Sequence, residues 1–433
     1  MAQSPFGRRG FLGLAGGTAL GVASTAALGP LAGTANAALG VAAPDTPSPA
    51  LGLQLYSVRN LINSLGFRVV FEELARLGFK EVEFAGYTQG NAGPITIPQL
   101  KQLLEDNGLK GVGSHIGTNA LVNAGQREQQ YETARQLGLP YLGTADDIPG
   151  GNTTAGIQAA ADRYNQAAEV AATYGLKIYQ HNHSNEFAFT SDQPTVRRYD
   201  VWINSLDFSK AVFLEMDILW AFGGARKFAQ PGGTNGVPLP NGAFGFDPAD
   251  YVAAHPERYH LFHVKDGRPN ANPAQGNSYA DVEIGLGNIP FRAFFDKVGA
   301  KAMHHPLWEQ DAAPNTPASA GGAMGAAMRS YENLFVIRTL TWLDELRDQV
   351  DAMVAAGRVK AAVGEDLQGR LANAVKRYEG GHEQSAMGYL GQFIAKVNNQ
   401  VRGDEEAKML LMANAQVVLN WLQESEDKEN GVD

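Results

Sequence analysis

Cysteine is absent from the 433-residue sequence. Its absence excludes disulfide bonds, thiolate zinc sites, iron–sulfur clusters and thiol nucleophiles, because each of these needs a cysteine sulfur. A bound metal ion would therefore have histidine, carboxylate and water ligands only. A chain without cysteine is compatible with both reducing and oxidising compartments.

Positive charge is also scarce: 35 Lys and Arg face 45 Asp and Glu, a net charge of −10. Proteins that bind nucleic acid usually carry a basic field, so this balance argues against a nucleic-acid partner. Beyond the N-terminal segment no apolar run reaches about 18 residues, so we expect no stable membrane span. The chain is 44% hydrophobic and 18% charged, which excludes bulk disorder.

The first 38 residues have the pattern of an export signal. Arg8 and Arg9 precede a glycine- and alanine-rich apolar stretch over residues 11–31, and residues 35–37 form an A-x-A cleavage site. The paired arginines followed by Phe-Leu resemble a twin-arginine (Tat) signal, with an ordinary secretory signal or a retained anchor as alternatives. We therefore expect an exported, extracytoplasmic protein. The proline-rich residues 39–50 are interpreted as a linker.

From residue 51 short apolar runs alternate with amphipathic stretches. Eight such units over residues 51–342, at about 36 residues each, predict a (β/α)8 TIM barrel. An open doubly wound sheet is the alternative, but the first strand lacks the glycine-rich turn of such folds. The predicted strands are Leu51–Tyr56, Glu81–Phe84, Gly111–His115, Tyr141–Thr144, Lys177–His181, Val212–Asp217, His260–Lys265 and Pro306–Glu309.

Two regions depart from this alternation. Residues 221–247 are rich in glycine and proline, and are interpreted either as a loop that shapes the active site or as a disordered excursion. Residues 343–433 lack a strand pattern, and their helical spacing predicts a small all-α bundle with a charged tail. Docking on the barrel, oligomerisation and contact with the cell envelope are all open roles for this bundle. Its predicted core positions include Leu343, Leu346, Val350, Leu390, Phe393, Val397, Leu410, Val417 and Trp421.

Metal-binding residue types occur where predicted strands five to eight end, which is where barrels place catalytic groups. Two Glu, one Asp and one His that converge there would suit a divalent ion such as Mn²⁺, Mg²⁺, Co²⁺ or Zn²⁺. Glu215 has the same strand parity as Asp217 and is expected deeper in the barrel. The residues at these strand ends are His181, His183 and Glu186, then Asp217, then His263 and Lys265, then Glu309.

Four segments in order resemble the xylose-isomerase-like TIM-barrel family of sugar phosphate isomerases and epimerases, over residues 51–340. The family includes inosose isomerases and dehydratases and ketose 3-epimerases. Nuclease relatives have a histidine where this chain has Trp220, so the resemblance implies one metal ion and argues against DNA repair. The segments are HNHxxE at 181–186, MDxxW at 216–220, HVKD at 263–266 and EQD at 309–311. The metal ligands that the resemblance implies are Glu186, Asp217, His263 and Glu309.

The resemblance also implies a mechanism. A metal chelated by sugar oxygens would acidify the C–H beside the carbonyl and stabilise an enediolate. Glu186 and Glu309 would flank the sugar as the catalytic pair that removes and returns the proton. Substrate-binding roles are predicted for His115, His183, Lys265 and Glu83.

Three functions follow as hypotheses. The first is an exported metal-dependent isomerase or epimerase that acts on a small-molecule sugar or polyol derivative. The second is a metal-dependent lyase or dehydratase that uses β-elimination on a keto-sugar or inosose. The third is a non-catalytic carbohydrate-binding barrel, against which the intact set of four ligands argues. The metal, the sugar and the oligomeric state are left open.

Overall fold

The computed structural model describes residues 50–233, 235–299 and 305–429. The predicted export signal lies outside the described residues, as does the linker up to Pro49. The described residues divide into two compact units, residues 50–335 and the residues from 336 onward.

The first unit is built on eight parallel strands in the order β3-β2-β1-β10-β7-β6-β5-β4. The two ends of this order meet through a parallel bridge between His115 and Gly143, so the sheet closes into a barrel. The strands are β1 (Gly52–Gln54), β2 (Glu81–Phe84), β3 (Lys110–Ser114), β4 (Tyr141–Thr144), β5 (Lys177–His181), β6 (Val212–Asp217), β7 (Tyr259–Val264) and β10 (His305–Trp308).

All eight predicted strands are present in this barrel, and four of them have the predicted ends. The predicted barrel followed by helices is therefore confirmed. Two further strands, β8 (Asp266–Pro269) and β9 (Tyr279–Val282), form an antiparallel hairpin after β7 that the sequence pattern did not predict. The carboxylate of Asp266 accepts four backbone N–H bonds from residues 267, 285, 287 and 289, which ties the start of β8 to the segment that follows β9.

Helices alternate with the barrel strands, and glycines with positive φ end two of them, Gly78 (111°) and Gly138 (78°). Their packing on the outside of the sheet follows from the parallel topology. The helices are α1 (Arg59–Leu77), α2 (Ile97–Asp106), α3 (Thr118–Val122), α4 (Arg127–Leu137), α5 (Thr154–Thr173), α6 (Arg198–Ser205), α7 (Ile218–Lys227), α8 (Pro248–Ala254) and α9 (Phe291–Val298).

The predicted loop over residues 221–247 is partly wrong, because its first seven residues belong to α7. Gly223 and Gly224 permit close packing there instead of a flexible loop. A Cβ at Gly223 would lie 2.4 Å from the carbonyl oxygen of Asn277, and one at Gly224 would lie 2.5 Å from the ring of Phe187. Beyond α7, residues 230 and 237 form an antiparallel bridge.

The second unit is helical. It contains the end of α10 (Gly322–Ala355), then α11 (Ala361–Glu379), α12 (Glu383–Gln400) and α13 (Glu405–Glu429). The predicted boundary between residues 342 and 343 falls inside α10. Among the described residues, no helix combines the length and the apolar character needed to cross a bilayer.

The predicted core of this unit is right on α10 and α12 and partly right on α13, where Trp421 is buried as expected. Leu343, Leu346, Val350, Leu390, Phe393 and Val397 are buried as expected. Leu410 and Val417, however, are 45% and 42% exposed, and their neighbours Leu411 and Val418 are buried instead. Apolar residues stand side by side at both places, so helical periodicity alone did not decide which of each pair faces inward.

Candidate metal centre

Four metal-binding side chains converge at the carboxyl end of the barrel. His181 ends β5, Asp217 ends β6, His263 lies one residue before the end of β7, and Glu309 follows β10. One nitrogen or oxygen from each lies within 4.8 Å of the others, and all four residues are buried. Parallel strands of a barrel carry their last residues to one rim, which is why positions 128 residues apart in sequence meet.

The atoms of this cluster face one another closely. His263 Nδ1 lies 2.9 Å from Glu309 Oε2 and 4.0 Å from Asp217 Oδ2, and His181 Nε2 lies 3.5 Å from the same Asp217 oxygen. Neither ring nitrogen of His181 has a hydrogen-bond partner among the described residues. The same is true of Asp217 Oδ2. Buried polar atoms normally have partners. Two imidazoles and two carboxylates, three of which have an unsatisfied atom, fit a divalent cation.

Asp217 is held in place by its neighbours in sequence and by the preceding strand. The side chain of Asn182 pairs with its backbone, accepting from N–H and donating to C=O, both at 3.1 Å. Asp217 Oδ1 accepts the backbone N–H of Trp220 at 2.8 Å and so caps α7. These contacts commit one carboxylate oxygen and leave Oδ2 directed at the cluster. Sequence reasoning missed Asn182, although an amide between two predicted site histidines was a usable signal.

The fourth place in the cluster belongs to His181, and not to Glu186 as the resemblance implied. Glu186 lies in the short turn Asn185–Phe187, five residues beyond the strand end, and its carboxylate is not among the atoms that lie within 4.8 Å of one another. Its Oε1 is 3.8 Å from His183 Nδ1, and neither carboxylate oxygen has a hydrogen bond among the described residues. The ring of His183 is in turn 4.9 Å from that of His181. Glu186 therefore adjoins the cluster without belonging to it.

Lys265 supplies positive charge to the acidic side of the cluster. Its Nζ lies 2.6 Å from Glu309 Oε2, 3.2 Å from Asp217 Oδ2 and 3.2 Å from Asp311 Oδ1, with the Trp220 ring centroid 4.7 Å away. Burial opposes the ammonium charge, but the three carboxylates outweigh it and raise the pKa of Lys265 well above its ordinary value. The structure thus places Lys265, predicted to bind substrate, in contact with the candidate metal ligands Asp217 and Glu309.

Burial and charge act differently on three of the clustered groups. Burial raises the pKa of Asp217. Burial and the charge of His263 lower the pKa of His181 well below its ordinary value. Burial would raise the pKa of Glu309 too, but Lys265 and His263 outweigh it and hold that pKa well below its usual range. A neutral His181 keeps a lone pair for a cation, and Glu309 stays ionised, as metal ligands require.

A second cluster lies on the other side of the His263 ring. Nε2 of His263 is 2.7 Å from Glu83 Oε2 and 3.1 Å from Glu215 Oε1. His115 Nε2 bridges the same two carboxylates, at 3.2 Å from Glu83 and 2.8 Å from Glu215. Burial opposes the charge of His115, yet these carboxylates raise its pKa to about 10. His263 therefore faces the candidate ligands with Nδ1 and buried carboxylates with Nε2, an arrangement that orients a metal-binding imidazole.

The structure corrects the role predicted for Glu83. Its side chain has no exposed surface, and its carboxylate also accepts from Gln54 at 2.8 Å and from the hydroxyl of Tyr179. A carboxylate enclosed in this way has no access to a substrate. His115, whose side chain is 14% exposed, shares this network, whereas His183 is 36% exposed at the rim. The polar Gln54 within an apolar predicted strand was the signal that sequence reasoning did not use.

Glu215 lies where strand parity predicted, deeper in the barrel than Asp217. Its side chain is fully buried, and its two oxygens face His115 and His263. The site therefore has two layers: a rim of candidate ligands and, beneath it, carboxylates that contact the shared His263.

The closed parallel eight-stranded sheet is a TIM barrel, and it carries a candidate metal site at its carboxyl rim. A family model described as the xylose isomerase-like TIM barrel matches residues 71–318, and the chain belongs to this family. A second family model, described as the FIMAH domain, matches residues 343–420. No curated protein sequence matches the chain.

Several solved structures are similar to the barrel. A sugar phosphate isomerase/epimerase from Parabacteroides distasonis covers 69% of this chain and 98% of its own, with 18% identity and a TM-score of 0.51. A probable 3-DHS dehydratase from Bacillus anthracis covers 63% and 92%, with 14% identity and a TM-score of 0.45. A D-tagatose 3-epimerase-like protein covers 66% and 98%, with 17% identity and a TM-score of 0.45. The first similarity supports the shared fold, and none of the three identifies a reaction.

Proposed function

We propose that the protein is a divalent-metal-dependent isomerase or epimerase that acts on a sugar or polyol derivative. The observation that supports this most is the buried cluster of His181, Asp217, His263 and Glu309 at the barrel rim. Two imidazoles among four ligands favour Mn²⁺, Co²⁺ or Zn²⁺ over Mg²⁺, which prefers oxygen ligands and water. When bound, the ion supplies Lewis-acid chemistry that polarises a substrate carbonyl and acidifies the adjacent C–H.

The proposed acid–base pair is Glu186 and Glu309, whose environments differ. Glu309 is held ionised by the charges of Lys265 and His263. Glu186 is buried, makes no hydrogen bond within the described residues and adjoins His183. Removal of a proton from carbon and its return, to the opposite face or the neighbouring atom, needs one group that accepts a proton and one that donates it. Lys265 is placed to hold the negative oxygen that develops when the proton leaves.

Metal content of the purified chain tests this proposal first. We expect near-stoichiometric metal by ICP-MS in the wild type and loss of it in Asp217→Ala. Asp250→Ala, which removes an exposed carboxylate on α8 that pairs with Lys297, is the matched control and should keep its metal. A wild-type protein that takes up none of Mn²⁺, Co²⁺ or Zn²⁺ would contradict the proposal and favour a carbohydrate-binding protein.

The reaction type is tested next by incubation of the metal-loaded protein with sugars and keto-sugars in D2O. Isomerisation and epimerisation incorporate deuterium beside the carbonyl and conserve the carbon skeleton and its substituents. Elimination by a lyase or dehydratase starts from the same proton removal but expels a β-substituent, which mass spectrometry detects as a fragment or as lost water. Incorporation without elimination in wild type, and its loss in Glu186→Gln, is the expected result.

We also propose that the protein is exported. This is supported by the paired Arg8 and Arg9, which precede an apolar stretch and an A-x-A cleavage site. Replacement of both arginines by lysine should retain the protein in the cytoplasm if the Tat route is used. Unchanged export of the double variant would indicate an ordinary secretory signal.

A further inference from the structure

A cavity of about 260 Å³ lies among the loops at the carboxyl end of the barrel. Its wall comes from three segments: the loop after β4, the segment from β5 to the start of α6, and the loop after α7. These are the loops with which barrels of this kind bind substrates. The wall residues are Asp147, Asn152, Asn185, Ala188, Arg198, Phe228 and Asn235.

Hydrogen bonds between the three segments hold this wall in shape. Arg198, only 7% exposed, donates to both carboxylate oxygens of Asp147 at 3.0 and 3.1 Å, and to the carbonyl of Asn185 at 3.2 Å. Asn152 accepts from the hydroxyl of Ser191 at 3.2 Å. The carbonyl of Asn235 accepts the backbone N–H of Phe189 at 3.0 Å. The cavity is therefore preformed, which lowers the entropic cost of binding.

The chemistry of the wall favours an uncharged, hydroxyl-rich ligand. The charge of Arg198 is compensated by Asp147, while its buried Nε makes no hydrogen bond among the described residues. The other polar groups of the wall are carboxamides, each of which both donates and accepts, as hydroxyl groups also do. Phe228 adds an apolar surface of the kind that packs on a sugar ring. Lys227 donates to Asn185 Oδ1 at 3.3 Å but does not line the cavity, so the wall itself offers a phosphate only the paired charge of Arg198.

One short turn connects this cavity with the proposed chemistry. Asn185 lines the cavity, and the next residue is Glu186, which adjoins His183 and through it His181. The volume lies below the roughly 300 Å³ at which complete small-molecule sites begin, so the cavity suits one part of a larger substrate.

We propose that this cavity is a subsite for a second, uncharged sugar ring, so that the substrate is a disaccharide or a similar glycoside whose reacting ring lies at the metal cluster. This inference rests on the proposed function, which places the reacting ring at the cluster. It adds the substrate class: a neutral glycoside and not a free or phosphorylated monosaccharide.

Titration calorimetry on the metal-loaded protein tests the subsite with glucose, glucose 6-phosphate, maltose, cellobiose and lactose. We expect at least one disaccharide to bind more tightly than both glucose and its phosphate. Asn235→Ala removes a carboxamide whose side chain makes no hydrogen bond within the described part of the chain, and Ala188→Leu fills the cavity. Each should weaken disaccharide binding by roughly five- to tenfold and leave glucose binding unchanged. Asn204→Ala, at an exposed position on α6, is the matched control and should change neither.

Two results would overturn the subsite. One is equal affinity for glucose and every disaccharide in wild type and variants, and the other is tightest binding of glucose 6-phosphate. If metal and deuterium exchange are retained in those samples, the subsite alone fails. If the wild type binds no metal, the proposed function fails, and the subsite falls with it.

Discussion

Charged side chains serve different purposes in the barrel and in the helical unit. In the barrel, Glu83, Glu215 and His263 form ion pairs with no side-chain exposure. In the helical unit, Arg358 pairs with Asp404 at 2.7 Å and with Glu406 at 3.1 Å, and these three side chains are 34%, 24% and 74% exposed. Desolvation makes the buried arrangement costly, whereas water screens the exposed one.

The difference shows where a function is encoded. Apolar side chains would fill the barrel centre at a lower cost in free energy, so a buried network of carboxylates and imidazoles indicates a site that its chemistry maintains. The ion pairs of the helical unit need no such explanation, because each is solvated and contributes little.

The largest effect should come from His263→Ala, since His263 belongs to both barrel clusters. The change removes a ligand and leaves Glu83, Glu215 and Glu309 without their shared partner, which we expect to destabilise the protein by about 3–5 kcal/mol and to abolish metal binding. Chemical denaturation and ICP-MS measure the two effects. His255→Ala, an exposed histidine, is the control; equal stability of the two variants would refute the distinction between the regions.

Glu215→Gln should weaken metal binding without removing a ligand. Glu215 contacts His263 on the nitrogen opposite the ligand cluster, and loss of such a partner typically costs about 10–100-fold in affinity. Competition with a metallochromic chelator gives the dissociation constant, and Glu132→Gln on the surface of α4 is the control. An unchanged constant would show that the buried carboxylates act on structure alone.

Metal addition should stabilise the barrel and not the helical unit. A cation at 100 times its dissociation constant stabilises the folded barrel by about 2.7 kcal/mol, because it binds the native site only. Hydrogen exchange should therefore slow in peptides from β6 and β7 on addition of Mn²⁺ or Zn²⁺, and remain unchanged in peptides from α11 and α12. Equal protection in both sets would contradict the separate roles of the two units.

The smallest effect should come from Arg358→Gln. The side chain of Arg358, followed by the N–H of Ala407, lowers the pKa of Asp404 to about 2, against about 3.9 in an unfolded chain. A lowered pKa means that the contribution to stability is complete above about pH 4 and is lost as the pH falls through 2. Wild type and variant should therefore differ slightly at pH 7 and coincide near pH 2 in thermal unfolding. A large difference at pH 7 would overturn the contrast with His263→Ala.

The barrel could be predicted from the sequence because its signals are local. Each apolar run that became a strand is bounded by its own turn residues, and β2, β4, β5 and β6 begin and end where the runs do. The polar residues at the strand ends were also readable, since parallel strands bring their ends to one rim. Asp217, His263 and Glu309 lie together for this reason.

Other features depended on contacts between distant segments. Gly223 and Gly224 have the composition of a loop but lie in a helix, because residues 187 and 277 pack against them. Helical periodicity in the sequence does not distinguish Leu410 from Leu411. Packing against the neighbouring helices decides which of the two is buried. The hairpin of β8 and β9 is organised by Asp266, which contacts backbone groups up to 23 residues away.

The sequence by itself determined the class of fold, the rim on which the chemistry lies and the residue types available to it. The tertiary structure decided the place of each residue: His181 in the cluster, Glu186 beside it, and Glu83 beneath it. Alternation and spacing are properties of a few consecutive residues. The direction of a side chain after a turn, and its access to solvent, depend on strands that are up to 180 residues apart in the chain.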